Sequence, residues 1–390
     1  MRTKVKLKGG ISLIVLVITI IVMIILAAAI ILSLSNSGII GKANKAKTDS
    51  DTANLKEYVN TLRAEWELMT DAEQTAEGSF VDYANSKLAE KGYKRELAAD
   101  GETVMNENAT AAVKAGIKVG DVVTGYTVTE KSYTTSGEEN TAPSRTETDP
   151  TKQTLTTNTD ITWKYLGVNA NGELEIMAVL SEKDAITDTA DKQLKVKLSG
   201  KGGYLKGPDM LNTICEKLYS KDGLGTARSI NIDDVNNILG YTGPKGWYVD
   251  NNNNGVATST PVTIETIENS LGKNMYLRAT PDGKDLKTYY ADGYTYYNSD
   301  DNIKNTANKE LVYNSKNEYW LASPCVYAWF SRGNAFFEIR FVNSNTVNRC
   351  YVFSSDNMSF ENTHALRPVV TLNSNVKLTP NADKTEWAIS

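Results

Sequence analysis

The chain has 390 residues, 41% hydrophobic and 23% charged, which is typical of a folded protein of about two domains and excludes wholesale disorder or a multi-pass membrane protein. Its net charge of −5 argues against nucleic acid as a partner, because phosphate-binding surfaces need an excess of Lys and Arg. One histidine, His364, and three cysteines leave few residues for catalytic triads, zinc sites or disulfide scaffolds. We therefore expect no enzyme activity, no metal and no cofactor.

The N-terminal residues are first basic and then apolar. Residues 1–10 carry four cations, and 11–34 are hydrophobic, with no charge over 11–32. As a helix this uncharged run would be about 33 Å long, enough to cross a bilayer core of about 30 Å. The cations would stay in the cytoplasm, which predicts a single-pass protein of the cell membrane with its C-terminal domain extracellular. A secretory signal peptide is the alternative, although its apolar core is normally shorter.

The junction between these segments resembles the processing site of type IV prepilins. Residues 8–14 read Lys-Gly-Gly-Ile-Ser-Leu-Ile, a basic leader and glycine before a hydrophobic helix. The resemblance implies that a prepilin peptidase cuts after Gly10, so that Ile11 becomes the first mature residue. It also implies that the helix packs with other pilins in a pilus or stays in the membrane. Pilins usually carry Glu at the fifth mature position, where this chain has Val15, which weakens filament incorporation but not membrane anchoring.

The next segment, 35–92, predicts extracytoplasmic amphipathic helices. One apolar face recurs at three- or four-residue spacing and comprises Leu55, Tyr58, Val59, Leu62, Trp66 and Met69. A second short helix is predicted over 80–92, where a glycine ends it. Both a long pilin-type helix that continues out of the membrane and a plain stalk helix predict this pattern.

The remaining chain predicts a β-rich head. Residues 93–126 contain alternating valines and turn glycines, a β-like start. Twelve of the 34 residues of 127–160 are Thr, which indicates a solvated linker or long loop. A domain over 161–378 begins with a hairpin across an Asn-Gly turn and includes short helices at 210–219 and at Ile232–Leu239. We expect a C-terminal tail at 379–390.

Three β-like blocks lie at 318–324, 335–342 and 365–372. With the hairpin at Trp163 and the Ala-Arg-Ser-Ile stretch at 227–230, they resemble the C-type-lectin-like fold, in the branch shared by formylglycine-generating enzymes and the variable proteins of diversity-generating retroelements. The resemblance covers about 110–378. It implies an α+β fold class in which an N-terminal transmembrane, pilin-like long helix precedes a C-type-lectin-like mixed domain rich in short strands and loops.

The retroelement resemblance implies that the segment 319–370 is diversified by mutation of adenines, which cannot turn Asn codons into Lys codons. None of the 32 Lys of the chain lies in 317–376, where about five would be expected at the average frequency. Four of the ten Arg, which such mutation can produce, lie there. A β-rich core that lacks Lys by chance is the alternative explanation.

Polar and aromatic residues alternate with small or β-branched residues in this segment. Aromatic side chains give contact area at low entropy cost, and Asn and Ser adapt their hydrogen bonds. We therefore expect the domain to bind an extracellular protein or glycan in adhesion or recognition. The predicted ligand-binding residues are Tyr327, Trp329, Ser331, Asn334, Asn343, Asn345, Asn348, Arg349, Tyr351, Ser354, Asp356, Asn357 and Ser359. Ordinary strand and turn roles are the alternative for these residues, and a minor pilin or pseudopilin without ligand binding is the alternative function.

The resemblance further implies a disulfide between Cys215 and Cys325, because similar bacterial domains often carry cysteines at these places. The stretch 250–255 starts like a calcium loop, but Pro261 replaces the Glu that such a loop needs at its twelfth position. We interpret this stretch as an Asn-rich hairpin tip. Arg367 is expected to be a buried structural cation.

Overall fold

A computed structural model describes residues 39–137, 150, 152–157, 159, 161–180, 195–275, 279–313 and 318–390, without the side chains of 39–49 and 180. The chain divides into two compact units, Met1–Gly92 and Tyr93–Ser390. The predicted processing residues Gly10 and Ile11 and the apolar segment 11–34 lie outside the described residues.

One part of the predicted fold class is wrong. The chain is α+β with mostly strands, but among the residues described no helix is both long and apolar enough to cross a membrane. The longest described helix, Ile39–Leu68, has 30 residues and carries Lys, Asp, Glu and Arg along its length. Within residues 39–390 as far as they are described, no helix therefore matches the transmembrane long helix of the predicted fold class.

The helices and strands follow in chain order. The α-helices are α1 Ile39–Leu68, α2 Asp71–Glu77, α3 Phe80–Glu90, α4 Glu107–Ala115, α5 Gly200–Tyr219, α6 Ile232–Leu239, α7 Ile264–Leu271 and α8 Lys309–Val312, with 3₁₀ turns at Leu286–Thr288 and Thr306–Asn308. The strands are β1 Val122–Thr124, β2 Ser132–Thr134, β3 Thr154–Thr156, β4 Ile161–Val168, β5 Leu174–Leu180, β6 Lys195–Ser199, β7 Gly225–Ser229, β8 Gly246–Val249, β9 Gly255–Thr258, β10 Val262–Thr263, β11 Tyr290–Ala291, β12 Tyr296–Tyr297, β13 Tyr319–Trp329, β14 Asn334–Val342, β15 Thr346–Ser354, β16 Glu361–Ala365, β17 Pro368–Leu372, β18 Leu378–Pro380 and β19 Glu386–Ile389.

The first unit is a small helical assembly. The apolar stripe of α1 is buried at Leu55, Val59 and Leu62, in agreement with the predicted face. Near the end of α1, the ring centroids of Trp66 and Tyr83 of α3 lie 5.5 Å apart. Capping boxes begin both α2 and α3 and satisfy backbone N–H groups that a helix start leaves unpaired. Side-chain burial and capping thus define these helices together.

Two large sheets and one long helix form the second unit. The first sheet has the strand order β18-β19-β1-β4-β5-β17-β7, and the second has the order β12-β15-β14-β13-β16-β6, with β8 paired to β13 and β9 paired to β8. Helix α5 contacts β7 of the first sheet and β13, β14 and β15 of the second. Its residues Leu211, Ile214 and Leu218 are buried. The largest apolar cluster of the unit therefore includes α5.

The local predictions with clear turn or cap signals are confirmed. Strands β4 and β5 form the predicted hairpin, and Asn169 Oδ1 accepts hydrogen bonds from the backbone of Asn171 and Glu173 in its turn. Helix α6 has the predicted bounds. Helix α5 begins ten residues earlier than predicted, at Gly200, because Gly203 and Gly207 allow its first turns to pack closely on Leu198.

Two segments predicted to lie outside the folded domains instead contain paired strands. In the Thr-rich stretch 127–160, β2 pairs with β3 in an antiparallel ladder. The predicted tail 379–390 is wrong, because β18 and β19 lie in the first sheet and β19 pairs with β1 in parallel. Trp387 anchors this strand: its side chain is fully buried and its Nε1 donates to Asp121 Oδ2 at 3.1 Å.

Candidate functional site

The candidate site lies on the three longest paired strands of the second sheet, β13, β14 and β15. In their antiparallel register Trp329 faces Asn334, Tyr327 faces Phe336 and Glu338 faces Tyr351. Directly opposed residues point to the same side of a sheet, and side chains two residues apart do so as well. The alternation of these strands therefore gathers one set of aromatic and charged side chains on a single face.

We call this surface the aromatic–arginine face and define it as Tyr327, Trp329, Arg332, Phe336, Arg349 and Tyr351. Neighbouring rings contact one another: the centroids of Phe336 and Tyr351 are 4.8 Å apart, and those of Tyr327 and Trp329 are 5.8 Å apart. The guanidinium of Arg332 lies 3.9 Å from the Trp329 ring centroid, and that of Arg349 lies 4.0 Å from the centroid of Tyr327. Each arginine thus stacks on a ring.

The face has a buried base and an accessible top. Tyr327 and Phe336 are nearly covered, at 7% and 9% exposed, and join the small apolar cluster around Val249. Tyr351 is 38% exposed, and Arg332 is exposed as well. The buried rings therefore support the side chains that remain open to a ligand.

The orientation of Trp329 is fixed by the neighbouring hairpin. Its Nε1 lies within hydrogen-bonding distance of Ser331 Oγ, at 2.7 Å, and of Asn253 Oδ1, at 2.9 Å. Asn253 lies at the tip between β8 and β9 with a left-handed φ of 65°. This contact adds a second element, far away in sequence, to one edge of the face.

The tip between β8 and β9 is also the stretch whose sequence starts like a calcium loop. Asp250 Oδ1 accepts hydrogen bonds from the backbone N–H groups of Asn252 and Asn254, both at 2.8 Å. The carboxylate closes its own turn, as expected for a hairpin tip. In the described part of the chain, no group of three or more His, Cys, Asp or Glu side chains could hold a metal ion.

A buried carboxyl group lies beneath the face. Glu338 has no exposed surface, and its Oε2 lies 2.6 Å from Nε of Arg349. Its Oε1 has no hydrogen-bond partner. Burial raises the pKa of Glu338 to about 8, although Arg349 and Arg340 act in the opposite direction. The acid is therefore largely protonated at neutral pH, with an arginine of the face directly above it.

An open depression of about 350 Å³ adjoins the face at β15. Its walls come from two short runs of sequence and consist of Arg349, Cys350, Tyr351, Phe360, Glu361 and Asn362. The Asn362 amide donates to the backbone oxygen of Tyr351 at 2.7 Å, which ties the second run to the strand. The depression and the face share Arg349 and Tyr351.

The structure brings together part of the predicted ligand-binding set. Tyr327, Trp329, Arg349 and Tyr351 belong to the aromatic–arginine face, and Ser331 contacts Trp329 at its edge. Asn334 lies opposite Trp329 in the ladder and is half-buried. This subset comes from the end of β13, the start of β14 and the middle of β15.

The other predicted residues lie elsewhere and serve the backbone. At the turn between β14 and β15, Asn343 Oδ1 accepts from the backbone of Asn345 and Thr346. Asn348 Oδ1 accepts from the N–H of Arg349. These three asparagines lie toward the opposite end of the strands from Trp329, because β14 spans nine residues or about 30 Å. The structure does not bring these three asparagines together with Trp329.

The end of β15 is a turn as well. Ser354 is fully buried and its hydroxyl contacts Asp356. Asn357 adopts a left-handed φ of 66° and donates its N–H to the Ser354 oxygen. Ser359 forms a bridge with Phe353. The prediction of a ligand contact at Ser354 is wrong because its side chain has no exposed surface, and Asp356, Asn357 and Ser359 close the turn.

Sequence reasoning missed Arg332, Phe336 and Asn253. Phe336 lies in the β-like block 335–342, and it follows Asn334 by two residues and so shares its side of the strand. Arg332 lies in the turn beside Trp329, where no periodicity identifies a side. Nothing in the local sequence connects Asn253 with Trp329, since 76 residues separate them.

The predicted disulfide is not formed. All three cysteines are free, and Cys215 and Cys325 are both buried in different surroundings. Cys215 lies on α5 near Arg228 and Ser229, whereas the Cys325 sulfur lies 4.0 Å from Glu338 Oε2. Arg367 is the buried structural cation that was expected: it is 2% exposed and donates to Ala178 O and Tyr319 Oη, both at 2.9 Å.

Comparison with known proteins finds no family model, no curated protein and no solved structure that matches this chain. The prepilin-type N-terminus, the C-type-lectin-like resemblance, the retroelement diversification and the minor-pilin alternative therefore stay predictions from the residues alone.

Proposed function

We propose that the unit Tyr93–Ser390 is a binding module whose aromatic–arginine face contacts an extracellular protein or glycan ligand. The observation that carries this proposal is the stacking of Arg332 on Trp329 and of Arg349 on Tyr327, beside the exposed ring of Tyr351. Location outside the cell and processing by a prepilin peptidase stay predictions from residues 1–34.

The composition of the face supports binding. Trp, Tyr and Arg are the residues that most often dominate binding energy at protein interfaces. Rings lose little side-chain entropy on contact, and a guanidinium stacked on a ring is already partly ordered before a ligand arrives. The face therefore offers flat apolar area for a sugar ring or an apolar side chain, and N–H donors for carboxylates or hydroxyls.

The support beneath the face also favours binding. Tyr327 and Phe336 lie on paired strands and are almost covered, so the accessible Trp329 and Tyr351 rest on a fixed base. The Ser331 and Asn253 contacts hold the Trp329 indole in one orientation. Sites on strands hold their geometry better than sites on loops.

The test is a ligand screen with the full chain, purified in mild detergent and applied to arrays of surface glycans and surface proteins. The double variant Arg332→Ala, Tyr351→Ala removes exposed parts of the face. We expect at least about tenfold weaker binding of any ligand found, because each side chain is of a type that forms binding hot spots.

A matched control is the double variant Arg63→Ala, Tyr297→Ala. Arg63 also stacks on a ring, that of Phe80, but in the first unit, and Tyr297 is 59% exposed at the opposite end of β15. Equal loss of binding in the control, or full binding by the face variant, would contradict the proposal. Thermal melts of all variants exclude unfolding as the cause.

A further inference from the structure

Three side chains that are distant in sequence form a chain of close polar contacts. The Cys350 sulfur lies 3.3 Å from Nε2 of His364, and Nδ1 of the same imidazole lies 3.1 Å from Oε2 of Glu318. A thiol beside an imidazole that a carboxylate orients is the arrangement by which proteins activate a cysteine nucleophile. The contacts do not involve the aromatic rings of the proposed binding face.

The imidazole is held firmly in this position. His364 is 9% exposed and lies on β16, in register with Val196 of β6. Its ring stacks on Phe341 with centroids 4.4 Å apart and an interplanar angle of 9°. The Trp320 ring meets it edge-on, also at 4.4 Å. Packed between these rings, the imidazole places one nitrogen toward the thiol and the other toward the carboxylate.

Cys350 is the least buried of the three cysteines. Cys350 is half-buried and lines the open depression of about 350 Å³ at the edge of β15. The other two cysteines differ in this respect, because Cys215 and Cys325 are 0% and 1% exposed. Donor groups lie in the same depression, on the Asn362 amide and the Arg349 guanidinium. Cys350, which contacts His364, and the donor residues Arg349 and Asn362 therefore line one depression.

The protonation states of Cys350 and His364 decide how the thiol would react. Burial raises the pKa of Cys350 to about 12, and Glu338 and Glu318 add to the rise. Burial lowers the pKa of His364 to about 4. At neutral pH both partners are therefore uncharged, and the thiol is a poor nucleophile by itself. Attack requires His364 to take the proton during the reaction, and the Glu318 carboxylate then stabilises the imidazolium.

We propose that Cys350 is a nucleophile for acyl transfer from an activated ester or thioester, with His364 as general base and Glu318 as the positioning residue of the imidazole. The sulfur forms a bond to the acyl carbon, the bond from that carbon to the leaving oxygen or sulfur breaks, and the thiol proton passes through His364 to the leaving group. Water then hydrolyses the thioester on Cys350: its hydroxyl joins the acyl carbon, and its proton returns through His364 to the sulfur. This inference does not rest on the proposed binding function.

The test uses p-nitrophenyl acetate as the acyl donor and the full chain as the protein. We expect a burst of p-nitrophenolate and an acetyl group that peptide mapping places on Cys350. Cys215 and Cys325 in the same sample serve as internal controls and should stay unmodified. Cys350→Ser should abolish the burst. Acetylation of Cys350 no faster than that of the two buried cysteines would overturn the proposal.

Glu318→Gln tests the positioning residue without disturbing the core, because the Glu318 side chain is 47% exposed. We expect its acetylation rate at neutral pH to fall about tenfold or more. The matched control is Glu386→Gln, an exposed carboxylate on β19 that does not line the depression, and it should react like the wild type. Equal rates for the wild type and Glu318→Gln would overturn the assignment.

The dependence of the rate on pH separates positioning from a merely structural role. In the wild type the acetylation rate should fall in acid as His364 becomes protonated. Without the Glu318 charge the imidazolium is less stable. In Glu318→Gln the pH at which the acetylation rate is half its maximum should therefore be lower, and the maximal rate should be lower as well. A uniform decrease with an unchanged midpoint would mean that Glu318 acts only on structure. The variant His364→Gln should also abolish the burst. Chemical modification of Cys350 in urea checks that the thiol of this variant is intact.

Discussion

The Nε atom of Arg349 lies 2.6 Å from Oε2 of Glu338, a carboxyl group with no exposed surface. The same guanidinium covers the ring of Tyr327. One arginine therefore connects the accessible face with an ionisable group inside the sheet. A change in the charge of Glu338 would alter the force that holds Arg349 in place.

Replacing Arg349 by Ala should destabilise the protein and raise the pKa of Glu338 further. We expect a loss of about 1–3 kcal/mol in the free energy of unfolding, because a buried carboxyl group loses its partner but stays protonated. Urea unfolding followed by circular dichroism measures it. Arg332→Ala is the control, since Arg332 is exposed and its stacking on Trp329 is worth less than about 1 kcal/mol. Equal stabilities of the two variants would contradict this prediction.

Replacing Glu338 by Gln should change how stability depends on pH. The folded-state pKa of about 8 exceeds the ordinary value of 4.5, so the native protein binds more protons than the unfolded chain between these values. Wild-type stability therefore falls as pH rises through this range, and the neutral amide removes that fall. The advantage of Glu338→Gln over the wild type should be larger near pH 9 than near pH 6 in urea titrations. A constant difference would show that Glu338 does not titrate in this range.

Replacing Trp387 by Ala tests whether residues 379–390 belong to the fold. The side chain is fully buried in the core of the second unit, so we expect a loss of about 3–5 kcal/mol in stability. Glu386→Ala is the control, because Glu386 is exposed on the same strand and should change stability by less than about 0.5 kcal/mol. Unchanged denaturation midpoints for both variants would contradict the assignment of residues 379–390 to the folded unit.

A comparison of two glycines distinguishes the cost of a left-handed backbone from the cost of a steric clash. Gly172 and Gly283 have φ of +78° and +76°, but a Cβ at Gly172 would lie 2.0 Å from the backbone oxygen of Val104, whereas a Cβ at Gly283 has nothing within 4 Å. Both Gly→Ala variants should lose about 1 kcal/mol from the left-handed conformation. Gly172→Ala should lose clearly more, as thermal melts would show. Equal losses would mean that the loop around Val104 moves aside without cost.

The sequence predicted elements whose signals are local. The hairpin of β4 and β5 follows from its turn, and α6 lies where a short helix with Asp233 and Asp234 in its first turn was predicted. The first half of α5 could not be predicted, because glycines disfavour helices and only packing on Leu198 explains them. Strand β19 could not be predicted either, because its partner β1 is more than 250 residues away.

The residues of the candidate site, too, could be predicted only where the signal is local in the sequence. Alternation along the strands was sufficient to select Tyr327, Trp329, Arg349 and Tyr351. It could not show that Ser354 is buried in a turn, because serine is common both in turns and at binding surfaces. Nor could it bring Cys350 to His364, since 14 residues and a change of strand separate them.

The parallel pairing of β1 with β19 has a consequence during protein synthesis. The ribosome makes Val122–Thr124 early, but the edge that receives Glu386–Ile389 stays open until those residues leave the exit tunnel. For most of translation the nascent chain exposes the groove that Trp387 later fills. Premature termination would leave that groove permanently vacant, so truncated products should be readily bound by chaperones and degraded by proteases.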